Sequence, residues 1–130
     1  MTPSDFYKGN FVTVKGFGAC KVISIFEDVF TLLTRGGQVI ESDDAVPIFL
    51  TDNIIKLIDG VIENDRCFII RNMPGQLKWN NTILCYEWIL QGIRIRAITF
   101  VHELQQLYVA VTTEELYKPK TEEDYEQIDR

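Results

Sequence analysis

The sequence is poor in the residues that bind metals or form cross-links: it has one histidine, His102, and three cysteines, Cys20, Cys67 and Cys85. No two cysteines form a Cys-x-x-Cys pair, and a structural zinc normally takes four Cys or His ligands, so no metal and no other cofactor is expected. An odd number of widely spaced cysteines in apolar runs reads as buried thiols, not as a disulfide framework. No apolar run approaches the ~20 residues that a membrane-spanning helix needs. The opening Met1-Thr2-Pro3-Ser4-Asp5 lacks the basic start and apolar stretch of a secretory signal. These absences lead to the expectation of a cytoplasmic protein that does not engage a membrane.

Motifs for bond-making chemistry are also lacking. His102-Glu103 resembles the start of a helical zinc-protease motif, but the position of the second histidine is Gln106. Gly16-Phe17-Gly18 is too short for a phosphate-binding loop and is flanked by strand-like sequence, so it reads as a turn. A cysteine nucleophile needs an activating base and an exposed thiolate, and no such pairing is evident. His102 falls off the apolar stripe of its helix, which points it toward solvent, a loop or a partner. The expectation is a protein that is not an enzyme.

Charge is uneven along the chain. The formal net charge is -6: residues 1–50 carry four Lys/Arg against six Asp/Glu, residues 51–98 six against five, and residues 99–130 three against eight. The acidity therefore belongs mainly to the last segment, which argues against a surface wholly tuned to a nucleic-acid backbone but leaves room for a local basic face.

With 130 residues, 46% of them hydrophobic, the chain suffices for one compact domain or two halves sharing a core. Its first half reads as strands: Phe11 to Lys15, Cys20 to Phe26, Val29 to Thr34 and Val39 to Glu41, with turns at Gly16-Phe17-Gly18, Glu27-Asp28 and a two-residue hairpin at Gly36-Gly37. Several short strands in about forty residues suggest a small, curved, SH3-like β-barrel, because closure removes exposed edges. Thr51 is a good N-cap for a short helix bearing Ile54, Ile55 and Ile58, with Gly60 placed to end it; this helix plugs the barrel or links it to a second sheet. Residues 61–98 return to strands, with turns at Asn64-Asp65, Asn72 to Gly75 and Asn80-Asn81. The clearest hairpin runs from Ile83 to Leu90, turns at Gln91-Gly92, and continues from Ile93 to Ile98. A two-residue loop there sets Leu90 opposite Ile93, Trp88 opposite Ile95 and Tyr86 opposite Ala97 on one buried face. The other face then carries Ile89 beside Arg94 and an ion pair of Glu87 with Arg96. Phe100, Leu104, Leu107, Tyr108 and Val111 make one apolar face of a closing helix, and Thr112 to Glu115 has capping-box spacing for a further turn.

The fold class is thus α+β. It comprises an SH3-like half over residues 1–50, then a helix, an antiparallel meander and a closing amphipathic helix over 51–117 sharing one core with it. Residues 118–130 form an acidic flexible tail.

The run Val101-His102-Glu103-Leu104-Gln105-Gln106-Leu107-Tyr108, with Glu114-Glu115-Leu116 downstream, resembles the closing signature of a family of small uncharacterised proteins from Bacteroidetes genomes, phages and mobile elements. Pro47-Ile48-Phe49-Leu50-Thr51 resembles that family's central segment, and Gly9-Asn10-Phe11-Val12 its opening one. The family has no assigned activity, so the resemblance implies no catalytic residues.

Two features point to binding. Arg94 and Arg96 project the same way from the second sheet, with Lys78 or Arg71 able to join them, as an anion or nucleic-acid contact. Tyr7, Phe17 and Trp79 sit near turns, away from core stripes, where small barrels present aromatics to ligands. Together with His102 these are the candidate partner-contacting residues. The leading expectation is a non-catalytic protein- or peptide-interaction module, with a phage or mobile-element origin; the alternative is a nucleic-acid binder using the basic face, or an acidic mimic of nucleic acid.

Overall fold

The computed structural model describes residues 6–27, 29–58 and 60–116, so the acidic segment 118–130 and Asp28 of the Glu27-Asp28 turn lie outside the described residues. The chain is α+β, with two antiparallel sheets of four and five strands and two helices among the described residues. Among the described residues no helix is long and apolar enough to cross a membrane.

The first sheet is a meander of β1 (Phe11–Val14), β2 (Gly18–Phe26), β3 (Val29–Thr34) and β4 (Val39–Ser42). It buries apolar side chains on both faces. Val12, Val14, Cys20, Val22, Phe30 and Leu32 pack with Phe6 in one cluster, whereas Phe11 and Ala19 belong to the larger cluster of the second half. Past β4 the chain returns to β1 through a single antiparallel bridge between Thr13 and Val46, with N–H···O distances of 2.8 and 2.9 Å. The Gly36-Gly37 hairpin is wider than the sequence suggests. Thr34 N–H bonds to Gln38 O and Gly37 N–H to Thr34 O, so Arg35, Gly36 and Gly37 form the loop, with Gly37 at φ +83°. A tight turn followed by a left-handed glycine is the usual three-residue hairpin.

The second sheet runs β5 (Ile62–Asn64), β6 (Cys67–Ile69), β7 (Gln76–Asn80), β8 (Cys85–Leu90) and β9 (Ile93–Ile98) in sequence order. Gln91 (φ +52°) and Gly92 (φ +80°) form the expected two-residue turn, and Leu90–Ile93 and Ile89–Arg94 pair as expected. The register then shifts at a bulge: Trp88 stands opposite Arg96, Glu87 opposite Ala97 and Tyr86 opposite Ile98. The extra residue, Ile95, alters everything beyond it. Trp88 and Tyr86 stay buried while Ile93, Ile95 and Ala97 are exposed, so the expected six-residue buried face does not form. Glu87 pairs with Arg94 (3.2 Å) rather than with Arg96. β8 also begins two residues later than expected, because the Asn80 side chain accepts N–H bonds from Thr82 and Ile83 and holds them in a turn.

α1 (Asp52–Ile55) is capped as expected by the Thr51 hydroxyl, which accepts the Ile54 N–H at 3.3 Å. Ile54, Ile55 and Ile58 pack into the core of the second sheet, so α1 links the halves and does not plug the first sheet. α2 (Val101–Thr112) begins with the Glu103 carboxylate accepting the Thr99 and Phe100 N–H groups, both at 2.9 Å. It ends at Thr113 in a left-handed conformation (φ +64°), so Thr112 to Glu115 closes a helix instead of opening one; the Thr112 hydroxyl donates to Tyr108 O.

α2 lies between the two sheets. Val101, Leu104, Leu107 and Tyr108 face the larger core, while Gln105 bonds to β1 and the segment before it. A helix packed from two sides buries a wider arc than one amphipathic stripe. For this reason His102 is buried, at 2% exposure, and not solvent-facing as the stripe implies, whereas Val111 at the free end is exposed.

Candidate interaction surface

Phe49 carries a large exposed ring held on ordered backbone. The segment Ile48-Phe49-Leu50 is extended and pairs with residues 99–101: Val101 N–H bonds to Ile48 O at 2.8 Å and Leu50 N–H to Thr99 O at 2.9 Å, around an antiparallel Phe49–Phe100 bridge. Alternation along this segment turns Ile48 and Leu50 toward the core and Phe49 outward, 67% exposed. Behind Phe49 the rings continue inward. Phe49 and Phe100 lie 5.1 Å apart, Phe100 and His102 are stacked at 5.7 Å, His102 meets Phe6 at 4.8 Å, and Phe6 meets Phe30 at 5.6 Å. One aromatic column thus joins the surface to the interior of the first sheet. His102 is a member of that column, not a surface contact.

The sequence-predicted aromatics do not converge. Tyr7 and Phe17 are exposed at opposite ends of β1, with Tyr7 N–H bonded to the Asn10 side chain and Phe17 N–H to Val14 O. Trp79 belongs to a separate cluster on the second sheet. Arg66 lies 4.2 Å over its indole and makes a two-pronged bond to Asp52, with N···O distances of 2.9 and 3.1 Å. The Tyr86 hydroxyl donates to the same carboxylate, and its ring meets Trp79 edge-on at 5.0 Å. Asp65 (φ +54°) and Arg66 (φ +59°) occupy the turn expected at Asn64-Asp65, displaced by one residue. Both are non-glycine residues in the left-handed region, a conformation that costs roughly 1 kcal/mol each. The cation–π contact, the Asp52 bonds and the Trp79 N–H bond to Arg66 O (3.0 Å) hold the turn there.

In this cluster, burial acts to raise the Asp52 pKa, but bonds from Arg66 and Tyr86 and the charges of Arg66 and Lys56 outweigh it, leaving the carboxyl below 3.8. Burial and donation to Asp52 together push the Tyr86 hydroxyl above its usual value of 10.0. A depressed folded-state pKa means that the ionised group contributes stability above its unfolded value and loses that contribution as pH falls through the folded one. Acid unfolding followed by circular dichroism should therefore show Asp52→Asn less stable than the parent at pH 6, with the gap closing below pH 3.8. A constant gap down to pH 2 would contradict the assignment.

The basic face does not assemble. Cross-strand partners share a sheet face, so Arg94 lies with Ile89 and Arg96 with Trp88, on opposite faces of the sheet. The physical reason is the Ile95 bulge. Arg94 is engaged by Glu87, Lys78 stands opposite Glu87 as well, and the Arg71 backbone carbonyl accepts the Tyr108 hydroxyl. Cys20 and Cys85 are buried, and burial, followed by the Glu87 charge, pushes the Cys85 thiol up. Cys67 departs from expectation: it is half-buried, and its Sγ donates to Gln76 Oε1 at 2.7 Å. A crevice lined by Phe68, Ile70, Met73 and Trp88 is too tight for a water-sized sphere. Among the described residues, no three His, Cys, Asp or Glu side chains converge as metal ligands.

Sequence reasoning missed the Phe49–Phe100 pair. The signal was present in Ile48-Phe49-Leu50, where one large ring sits between two core aliphatics and must face the other way. No protein-family model, curated protein or solved structure matches this chain.

Proposed function

We propose that this chain is a non-catalytic protein- or peptide-interaction module that contacts its partner through the Phe49–Phe100 pair. The observation carrying this reading is the 67% exposure of Phe49 on backbone fixed by paired hydrogen bonds and backed by stacked rings. An exposed aromatic whose position is already fixed loses little conformational entropy on binding, and such residues dominate interface energetics. We further infer that the first sheet curls toward an SH3-like barrel. The β1-β2-β3-β4 order and the Thr13–Val46 return support this, and fold alone implies no particular partner.

Phe49→Ser removes the outer ring without touching the buried ones. Its melting temperature should stay within a few degrees of the parent, while partner recovery in affinity capture from host lysate should fall roughly tenfold, as for a central aromatic contact. Phe49→Tyr should retain capture. Equal recovery by the parent and Phe49→Ser would remove Phe49 from the interface.

A further inference from the structure

We propose that the outer edge of β9 accepts an extended, acid-rich peptide strand from a partner, adding one strand to the second sheet; this deepens the interaction reading above and rests on it. β9 ends the sheet order, and among the described residues no strand pairs with the outer side of Ile93–Ile98. Ile93 to Ala97 are all exposed. A strand edge presents backbone donors and acceptors at the spacing that another strand matches. Of the other terminal strands, β5 has three residues and carries Glu63, whereas β9 has six and carries Arg94 and Arg96. Directly past Ile98 the chain already holds an extended segment, Ile48 to Leu50, so a strand laid along β9 runs up to the Phe49–Phe100 pair.

The side chains select the occupant. A second copy pairing antiparallel on this edge would set arginines against arginines, and like charges on paired strands oppose association. An acidic strand instead sets carboxylates against the arginines of β9. No ion pair holds Arg96 among the described residues, and Arg94 shares only the Glu87 carboxylate. The two arginines project to opposite faces, and so do successive residues of any strand. The matching peptide therefore carries adjacent carboxylates, with apolar neighbours for the exposed Ile93 and Ile95.

The test uses the full chain and fluorescence anisotropy with three labelled peptides: Thr-Val-Glu-Glu-Val-Thr-Val, its Lys-Lys counterpart, and the Glu-Glu peptide with alternate backbone amides N-methylated. The Glu-Glu peptide should bind, the Lys-Lys peptide should not, and N-methylation should abolish binding. Arg96→Glu, an exposed change checked for folding by circular dichroism, should weaken the Glu-Glu peptide roughly tenfold and favour the Lys-Lys peptide. Equal binding of the acidic and basic peptides, or none of either, overturns the proposal. Binding that survives N-methylation but is lost in Phe49→Ser overturns the edge while keeping the aromatic site. Loss of lysate capture in Phe49→Ser with peptide binding unchanged supports the edge as a separate contact. A dimer dissolved by Ile95→Pro would identify a second copy as the occupant. Peptide affinity that rises tenfold on deleting residues 118–130 would identify the chain's own acidic segment instead. Either result overturns the proposal of a foreign strand.

Discussion

Gly75→Ala is expected to be among the most destabilising single-methyl changes in this protein, lowering the unfolding free energy by about 3 kcal/mol or more. A Cβ at position 75 would lie 2.3 Å from the Ile89 carbonyl oxygen and 3.2 Å from its carbon, and both are backbone atoms of a paired strand. The Trp88 Nε1 is a further 3.1 Å contact, and it is already committed to Pro74 O at 2.9 Å. Neither neighbour can swing aside as a flexible side chain would. Gly92 supplies the control: it has the same φ of +80° but no atom within 4 Å of its Cβ position. Gly92→Ala should therefore show only the left-handed penalty, about 1 kcal/mol. Urea unfolding of both variants separates the close approach from the backbone conformation, and equal losses would refute the packing account.

The same loop shows what the sequence could and could not convey. Asn72-Met73-Pro74-Gly75 is recognisable as a turn from composition alone, since Pro and Gly punctuate structure locally. That Gly75 lies against β8 is a tertiary fact with no local trace. Hairpin turns, the Thr51 cap and the Leu104-Leu107-Tyr108 face were legible for the same local reason. The register of β8 with β9 was legible only for the two pairs beside Gln91-Gly92, because one inserted residue at Ile95 shifts every partner beyond it. That slip accounts for the Glu87–Arg96 pair that does not form and for the basic face that does not assemble. In the first sheet β1 defeated alternation for another reason, since the neighbours Phe11 and Val12 are both buried, one in each apolar cluster, and that strand has no wet face to read. His102 and Gln105 were obscured by α2 having two packed sides, which makes polar residues off the main stripe interior ones. The aromatic site was hidden only by its short segment, where a three-residue alternation carries little weight.

Gln105 tests that two-sided packing most sharply. Its side chain, 5% exposed, accepts the Phe11 N–H at 2.8 Å and donates to Gly9 O at 3.1 Å, acting as a strand partner for the entry to β1. Gln106 reinforces the seam by donating to the Asn10 side chain at 2.9 Å. Gln105→Ala strips partners from two backbone groups in a buried seam and leaves a void, and should cost about 3 kcal/mol. Gln105→Glu is the more discriminating change. When neutral, the new carboxyl can still accept from Phe11 and donate to Gly9 O, but once ionised it loses the donor and turns negative charge toward a carbonyl. Burial and that repulsion both raise the folded-state pKa of the introduced group above the ordinary glutamate value of about 4.3. A raised folded-state pKa means stability present below the unfolded value and lost as pH climbs through the folded one. The variant should therefore approach parental stability near pH 4 and fall well below it at pH 7, whereas Gln105→Ala should show nearly the same deficit at both. A pH-independent deficit for Gln105→Glu would mean that the amide does not bridge Gly9 and Phe11, and that apolar contact alone holds α2 to the first sheet.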